Sequence, residues 1–158
     1  MADDVFIIDS SGIPYYSRCF GGETCEMRPD HTLQTGFLAA LYAFSKESYG
    51  QQEIKTVVFS DLKLHFRVDN ERDVIVVFTT PTSETDEEVK NQMDMTYGAF
   101  LEMYEDQIGR GYSEPAVFDG FDEVLYNLNV VKSKPMGMIN LGEKVRGWKR
   151  LFKKYKHK

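Results

Sequence analysis

The sequence predicts one α/β domain, and three observations support this prediction. At 158 residues the chain has the usual length of a single domain. Hydrophobic residues make up 42% of it, which is enough for a packed core. Short runs rich in β-branched residues combine with segments of helical periodicity in the order β-β-α-β-β-β-α-α. We therefore expect a folded domain over residues 1–131, a linker over 132–141 and a basic amphipathic C-terminal tail over 142–158.

The first two predicted strands form a β-hairpin. Val5 to Ile8 is a short apolar run, residues 9–12 (Asp-Ser-Ser-Gly) have the composition of a turn, and Ile13 to Phe20 is the returning strand. Because Pro14 has no backbone N–H to donate, the second strand is expected at an edge of the sheet. The turn also resembles the Asp-x-x-Gly element of GTPases, but the chain has no glycine-rich phosphate-binding loop. The sequence therefore favours a turn over a nucleotide site.

The first predicted helix runs from about His31 to Tyr49, with Asp30 as its cap and Gly50 as its end. Its main apolar stripe is expected to face the core and consists of Leu33, Phe37, Ala40, Leu41 and Phe44. A weaker apolar line on the opposite side consists of Leu38, Tyr42 and Tyr49. Because this second line is expected to face outward, these three residues are the candidate partner-binding residues.

Three strands and two helices are predicted after the first helix. The strands cover residues 54–59, 62–68 and 73–80. Alternation in the second of them predicts one lightly covered face, and the continuous apolar run of the third predicts a central position. Thr85 and Glu88 have the spacing of a capping box for a long helix that stops at Gly109. A short helix follows from Phe121 to Leu128, with Asp119 as its predicted cap.

No pattern in the sequence indicates a catalytic site, a metal or a cofactor. Cys19, Cys25 and His31 are six residues apart, whereas zinc sites favour closer cysteine pairs and need a fourth ligand. Two reduced thiols are expected, because the acidic N-terminus does not look like a secretory signal peptide. His65 is expected to be exposed, and no local pattern pairs a nucleophile with a base. We therefore expect a non-catalytic protein of the cytoplasm.

The charge is unevenly distributed along the chain. The total of −6 combines +7 on residues 142–158, where eight basic residues accompany one acid, with −13 on residues 1–141. An acidic body argues against nucleic acid as the main partner, because phosphate binding needs a basic face.

The basic tail, residues 142–158, combines an aromatic-rich helical face with basic flanks. The face consists of Val145, Trp148, Leu151, Phe152 and Tyr155. Three interpretations stay open: binding to an anionic membrane or acidic partner, packing onto the protein's own acidic body, and contact with a nucleic acid or a partner helix. The candidate binding residues of the tail are Lys144, Arg146, Trp148, Lys149, Arg150, Phe152, Lys153 and Lys154.

The element order and the opening hairpin together resemble the longin domain, a profilin-like fold. The resemblance covers about residues 4–130 and is carried by the hairpin Val5–Ser17, the helix Leu33–Tyr49, the strands at 54–59, 62–68 and 74–78, and the helix Thr85–Ile108. Roadblock domains share the fold family but usually begin with a helix, so the leading hairpin favours longin. The resemblance implies a five-stranded antiparallel sheet, with the first helix on one face and the last two on the other.

The resemblance also implies a non-catalytic interaction module. Longin-like domains act as platforms in membrane traffic and vesicle transport, and many bind small GTPases or each other. Longin SNAREs continue into a long heptad-repeat helix and a membrane anchor, so a stand-alone longin protein fits better, with an archaeal origin as one candidate. The expected partner is a small GTPase or another longin or roadblock domain, including a second copy in a homodimer.

Two alternatives differ in class from this interaction module. One is a peripheral lipid-binding protein that acts at an anionic membrane through its basic tail. The other is a small-molecule sensor on the profilin-like scaffold, which requires a pocket such as one between the long helix and the sheet.

Overall fold

The computed structural model describes residues 1–21, 31–109 and 115–132. The predicted linker, apart from Lys132, and the whole basic tail lie outside the described residues, as do Cys25 and Asp30. The described elements follow the predicted order and are β1 (Asp4–Ile8), β2 (Pro14–Cys19), α1 (His31–Ser48), β3 (Thr56–Val58), β4 (Leu62–Asp69), β5 (Val74–Pro81), α2 (Asp86–Gly109), a 3-10 turn (Pro115–Phe118) and α3 (Phe121–Asn127).

The five strands form one antiparallel sheet in the order β2-β1-β5-β4-β3. Strand β5 is central, as its continuous apolar run predicted, and β2 lies at an edge, as Pro14 predicted. Strand β3 forms the other edge and is shorter than the predicted 54–59, because its ladder with β4 extends only from Thr56 to Val58.

The helices cover both faces of the sheet, as the resemblance implied. Side chains alternate along each strand, so Val5 and Ile7 of β1 pack on the side of α2 and α3, whereas Phe6 and Ile8 pack on the side of α1. The result is an α+β architecture with one hydrophobic layer on each face of the sheet.

An aromatic cluster dominates the layer under α2 and α3. Phe100 is fully buried, and its ring centroid lies 5.6 Å from that of Phe118, 5.4 Å from that of Phe121 and 5.2 Å from that of Tyr104. Burial raises the pKa of Tyr104 to about 12, so this phenol is neutral at physiological pH. Large interlocking rings of this kind contribute strongly to core stability.

The turn between β1 and β2 forms as the sequence predicted. The Asp9 carboxylate accepts hydrogen bonds from the backbone N–H groups of Ser11 at 3.0 Å and Ile13 at 2.9 Å. Gly12 has a positive φ of 87°, and a Cβ at this position would lie 3.1 Å from the carbonyl oxygen of Thr35 and 3.2 Å from the Cβ of Ala39. Helix α1 therefore lies in close contact with the hairpin turn, and glycine makes that approach possible.

The predicted orientation of α1 is wrong. Leu38 and Tyr42, expected on the outer side, are only 3% and 5% exposed, whereas Leu33 and Phe44 of the expected core stripe are 77% and 61% exposed. The close approach at Gly12 explains the difference, because it places the small side chains Thr35 and Ala39, with their neighbours Leu38 and Tyr42, against the sheet.

Three smaller expectations are also wrong. His65, expected to be exposed, is buried. The hydroxyl of Thr80 in β5 is the hydrogen-bond partner of its imidazole, at 2.9 Å. Helix α3 begins after Gly120 without a side-chain cap, and Asp119 instead accepts a hydrogen bond from Arg18 at 3.1 Å. Cys19 is disulfide-bonded, so the expectation of two reduced thiols is wrong.

Candidate interaction surface

The outward side of α1 carries a continuous stripe of exposed apolar side chains. Leu33, Phe37, Ala40 and Phe44 all face solvent and follow one another at helical spacing. Phe37 is 53% exposed, which is unusual for a phenylalanine without a covering element. Among the exposed residues of α1 from 33 to 48, Glu47 is the one that carries a charge.

Two further aromatic side chains extend this stripe at its ends. The Tyr49 ring contacts the Phe44 ring edge-on, with 6.5 Å between the centroids. At the other end, Phe59 and Phe37 both line a cleft of about 410 Å³, which Phe6 and Leu64 of the sheet also line. We call the five large side chains of this region the α1 surface: Leu33, Phe37, Phe44, Tyr49 and Phe59.

Polar contacts beneath α1 fix the side of the helix that faces outward. The Tyr42 hydroxyl donates to the Oδ1 atom of Asn70 at 3.0 Å, and the Asn70 amide donates to Glu53 at 2.7 Å. Lys46 folds back over the Tyr42 ring, with its Nζ atom 5.5 Å from the ring centroid. These contacts tie the second half of α1 to the β4–β5 turn, so rotating the helix to bury Phe44 would break them.

The same β4–β5 turn is bound to α2 on the other face of the sheet. The Tyr97 hydroxyl donates to Asp69, and Arg72 bridges Asp69 at 3.2 Å and Glu105 at 3.1 Å. Burial alone would raise the pKa of Asp69, but the hydrogen bonds from Tyr97 and Arg72 lower this pKa below its ordinary value. The β4–β5 turn is therefore bound to α1 on one face of the sheet and to α2 on the other.

A second cleft of about 460 Å³ lies between α2 and the strands β3 and β4. The cleft lies between the long helix and the sheet, where a small-molecule sensor would need a pocket. His65, Arg67 and Asp94 are among its lining residues. Two of its charged groups form ion pairs across the cleft, since Arg67 contacts Asp94 at 2.8 Å, and Asp86 contacts Lys63, which does not line the cleft, at 3.2 Å. Burial lowers the pKa of His65, which is therefore neutral at pH 7.

The candidate site residues have different outcomes. Leu38 and Tyr42 belong to the core, so their predicted exposure is wrong, whereas Tyr49 is exposed and lies on the α1 surface. The eight candidates of the basic tail, Lys144, Arg146, Trp148, Lys149, Arg150, Phe152, Lys153 and Lys154, lie outside the described residues.

Sequence reasoning did not identify the largest members of the α1 surface as exposed. The helical periodicity predicts a core position for Leu33, Phe37 and Phe44, because they belong to the larger apolar stripe of the helix. A signal for the opposite orientation existed in the small residues Thr35 and Ala39, which permit close packing on a glycine turn.

None of the described helices combines the length and apolarity needed to cross a bilayer. Within the same residues, no group of three or more His, Cys, Asp or Glu side chains is arranged to hold a metal ion.

Comparisons with known proteins find similarity among solved structures. Myxococcus xanthus MglB has a TM-score of 0.42 and 19% identity, over 53% of this chain and 62% of that chain, which is less than two thirds of its length. A structure of the mammalian SRP receptor has a TM-score of 0.46 and 15% identity, over 99% of this chain and 96% of that chain. No protein-family model and no curated protein matches the sequence.

The architecture is of the longin and roadblock type. At identities this low, the structural likeness concerns the fold and not the partners or activity of either protein.

Proposed function

We propose that this chain is a non-catalytic interaction module that binds or regulates a small GTPase or a trafficking-type partner through its α1 surface. The main observation behind this proposal is that α1 exposes Phe37 and Phe44, while its buried side includes the small residues Thr35 and Ala39. A protein with no use for this surface would be more soluble with polar residues at these positions.

The composition of the α1 surface suits protein binding. Contiguous apolar patches on a folded protein mark interaction sites, and aromatic side chains at the centre of an interface contribute much of the binding energy. Phe37, Phe44 and Phe59 supply such side chains, and the cleft between Phe37 and Phe59 can receive an apolar group of the partner. The underlying contacts of Tyr42 hold the surface in one arrangement, which lowers the entropic cost of binding.

The class of partner follows from the resemblance to longin domains, many of which bind small GTPases or each other. The α1 surface supports any apolar protein partner, so the choice of a GTPase is the part that experiment must decide. A second longin or roadblock domain, including a second copy of this chain, is the competing partner.

The direct test is calorimetric binding of the full chain to small GTPases encoded in the same genome, in both nucleotide states. The informative variant is Phe37→Asp, which places a charge at the centre of the α1 surface. Its matched control is Asn91→Asp, which adds the same charge at an exposed position of α2 on the other face of the sheet.

We expect at least one GTPase to bind the wild-type chain and the N91D variant alike, and to bind F37D at least tenfold more weakly, a loss of about 1.4 kcal/mol or more. Failure of every GTPase to bind in either state would reject the partner class. Equal binding by F37D and wild type would reject the α1 surface as the site.

A further inference from the structure

The second cleft lies on the face of the sheet opposite the α1 surface, because α2 supplies part of its lining. The register of the strands shows which side chains point toward it. His65 of β4 is paired with Phe78 of β5 and with Thr56 of β3. Paired residues of neighbouring strands point to the same face of a sheet, and Phe78 packs in the layer under α2 and α3. The imidazole of His65 and the side chain of Thr56 therefore point to the face that holds the cleft, and both residues line it.

Helix α2 leaves the edge of the sheet at β3 uncovered. Val58 of β3 is paired with Lys63, whose side chain contacts Asp86 of α2, so Val58 points to the same face as His65. Val58 is nevertheless 64% exposed. The space beside α2 is the cleft of about 460 Å³, which lies within the range of roughly 300–1,000 Å³ that small-molecule sites occupy. We call it the α2–β3 cleft, and its lining includes Lys55, Thr56, His65, Lys90, Met93 and Asp94.

Two lysines of the α2–β3 cleft carry positive charge that ion pairs do not fully neutralise. Lys55 is exposed, and its side chain forms no ion pair or hydrogen bond within the described residues. Lys90 contacts Asp94 at 3.5 Å, but Arg67 binds the same carboxylate more closely, at 2.8 Å. The ammonium groups of Lys55 and Lys90 therefore remain available to an anionic ligand.

The acids that line the α2–β3 cleft, in contrast, are already bonded. Asp86 and Asp94 each form an ion pair with a basic residue of β4, at 3.2 Å and 2.8 Å. Glu53 accepts a hydrogen bond from the amide of Asn70 at 2.7 Å. The charge left for a ligand is therefore positive, although residues 1–141 as a whole carry −13. Because a cleft concentrates the field of the charges that line it, this one attracts small anions from solution.

We propose that the α2–β3 cleft binds a small organic anion, a carboxylate or a phosphate monoester, with its anionic group between Lys55 and Lys90. The body of the ligand lies over Met93, which is the buried residue that α2 contributes to the lining. The alkyl stems of the two lysines pack against it, since long charged side chains cover apolar surface while their charged ends stay in water.

Two polar groups of the strands can orient this ligand. The Nε2 atom of His65 pairs with the Thr80 hydroxyl at 2.9 Å, whereas its Nδ1 atom has no hydrogen-bond partner within the described residues. The hydroxyl of Thr56, the register partner of His65, is likewise unbonded in the described part of the chain. A few polar groups in an otherwise closed surface are what a small-molecule site uses to fix the orientation of its ligand.

The mixed charge of the α2–β3 cleft favours one anionic group over a polyanion. Glu53, Asp86 and Asp94 line the same cleft as the two lysines. They would repel the successive phosphates of a nucleic acid, which binds where basic residues form a continuous face. A single carboxylate or phosphate needs only the space between Lys55 and Lys90. The ligand is therefore a small molecule with one anionic end.

The test is an NMR titration of the full chain that follows its backbone amide resonances. The probes are benzoate and phenyl phosphate, which share a ring and differ in the anionic group. Benzylamine serves as the cation of similar size, and inorganic phosphate as the anion without an organic body. We expect benzoate, phenyl phosphate or both to cause saturable shifts at Thr56, His65 and Lys90, with a dissociation constant of about 1 mM or lower. The anion that binds more tightly identifies the chemical class of the natural ligand.

The variants are Lys55→Gln and Lys90→Gln, and the matched control is Lys132→Gln, which removes the same charge from an exposed position that does not line the cleft. Each cleft variant should bind the anion about fivefold more weakly, because it loses one exposed charge contact. The control should bind like the wild type. F37D should do the same, because Phe37 lies on the other face of the sheet, so this proposal and the proposed function can fail separately. Circular dichroism checks that the variants remain folded, which we expect because both lysines of the cleft are exposed.

Three results would overturn the proposal. The first is the absence of saturable shifts with both benzoate and phenyl phosphate. The second is binding of benzylamine or inorganic phosphate at least as tight as that of the organic anions, which would show that the cleft does not select an organic anion. The third is anion binding that K55Q and K90Q weaken no more than K132Q does, because the anion would then lie elsewhere on the protein.

Discussion

The two faces of the sheet are covered in opposite ways. On one face, α2 and α3 bury their largest side chains, and Phe100, Tyr104, Phe118 and Phe121 form a dense aromatic cluster. On the other face, α1 buries a narrow side with two small residues and leaves its phenylalanines in solvent. The larger apolar stripe of a helix therefore does not have to face the core when the smaller stripe permits a closer approach to the sheet.

The largest expected effect concerns the aromatic cluster. Phe100→Ala should lower the free energy of unfolding by about 3–5 kcal/mol, because it leaves a cavity among rings that cannot close it. Phe37→Ala, the same change at an exposed position, should alter it by no more than about 0.5 kcal/mol. Urea unfolding measures both, and comparable losses in the two variants would erase the difference between the faces.

Two leucines on α1 give a matched comparison within one helix. Leu38→Ala should cost about 2–5 kcal/mol because Leu38 is buried against the sheet. Leu33→Ala should change the free energy of unfolding by no more than about 0.5 kcal/mol. The reverse ranking in chemical denaturation would show that α1 has the orientation that the sequence alone suggested.

The β4–β5 turn allows a comparison of the hydrogen bonds that tie it to each helix. Tyr97→Phe removes a bond to the carboxylate of Asp69 and should cost about 1.5–3 kcal/mol, whereas Tyr42→Phe removes a bond to the neutral Asn70 and should cost about 0.5–1.5 kcal/mol. Thermal and urea unfolding of the two variants measure these losses. A Tyr42→Phe loss larger than that of Tyr97→Phe would mean that α1 is held more firmly than α2.

The smallest expected effect is a pH dependence that originates at His65. The His65 Nε2 atom and the Thr80 hydroxyl form a buried hydrogen bond at 2.9 Å. Because burial lowers the folded-state pKa of His65, the unfolded chain binds the proton more readily. The free energy of unfolding should therefore fall as the pH drops below about 6.5, the ordinary pKa of histidine, and level off below the folded-state pKa.

Urea unfolding of the wild type and the His65→Gln variant, at several pH values between 5 and 8, isolates this contribution. The variant should show a shallower decline toward acid than the wild type. Identical pH profiles would show that His65 is not responsible for the decline.

Much of the fold could be predicted from the sequence, because strand and helix periodicities are local patterns. The hairpin around Gly12, the central position of β5 and the order of the elements all follow from short stretches of chain. The orientation of α1 could not be predicted in this way. It depends on the approach of Thr35 to Gly12 and on the bond from Tyr42 to Asn70, which join residues far apart in the sequence.

The candidate site was predicted on the right helix but on the wrong side of it. Tyr49 is the one of the three candidates that lies on the α1 surface, and Phe59, which follows β3, joins that surface because it lines the same cleft as Phe37. The burial of His65 was missed for a related reason, since alternation along β4 does not reveal that Thr80 supplies a partner for a buried imidazole. The predicted exposure of Leu38, Tyr42 and His65 is wrong because contacts between elements distant in the sequence determine their burial.

We propose that this protein binds its partner through the exposed side of α1. Hydrogen–deuterium exchange of the full chain, with and without a GTPase that binds it, tests this claim most directly. We expect the partner to slow exchange in α1 and around Phe59 and to leave exchange in α2 unchanged. Slower exchange confined to α2 and α3, with α1 unaffected, would contradict it.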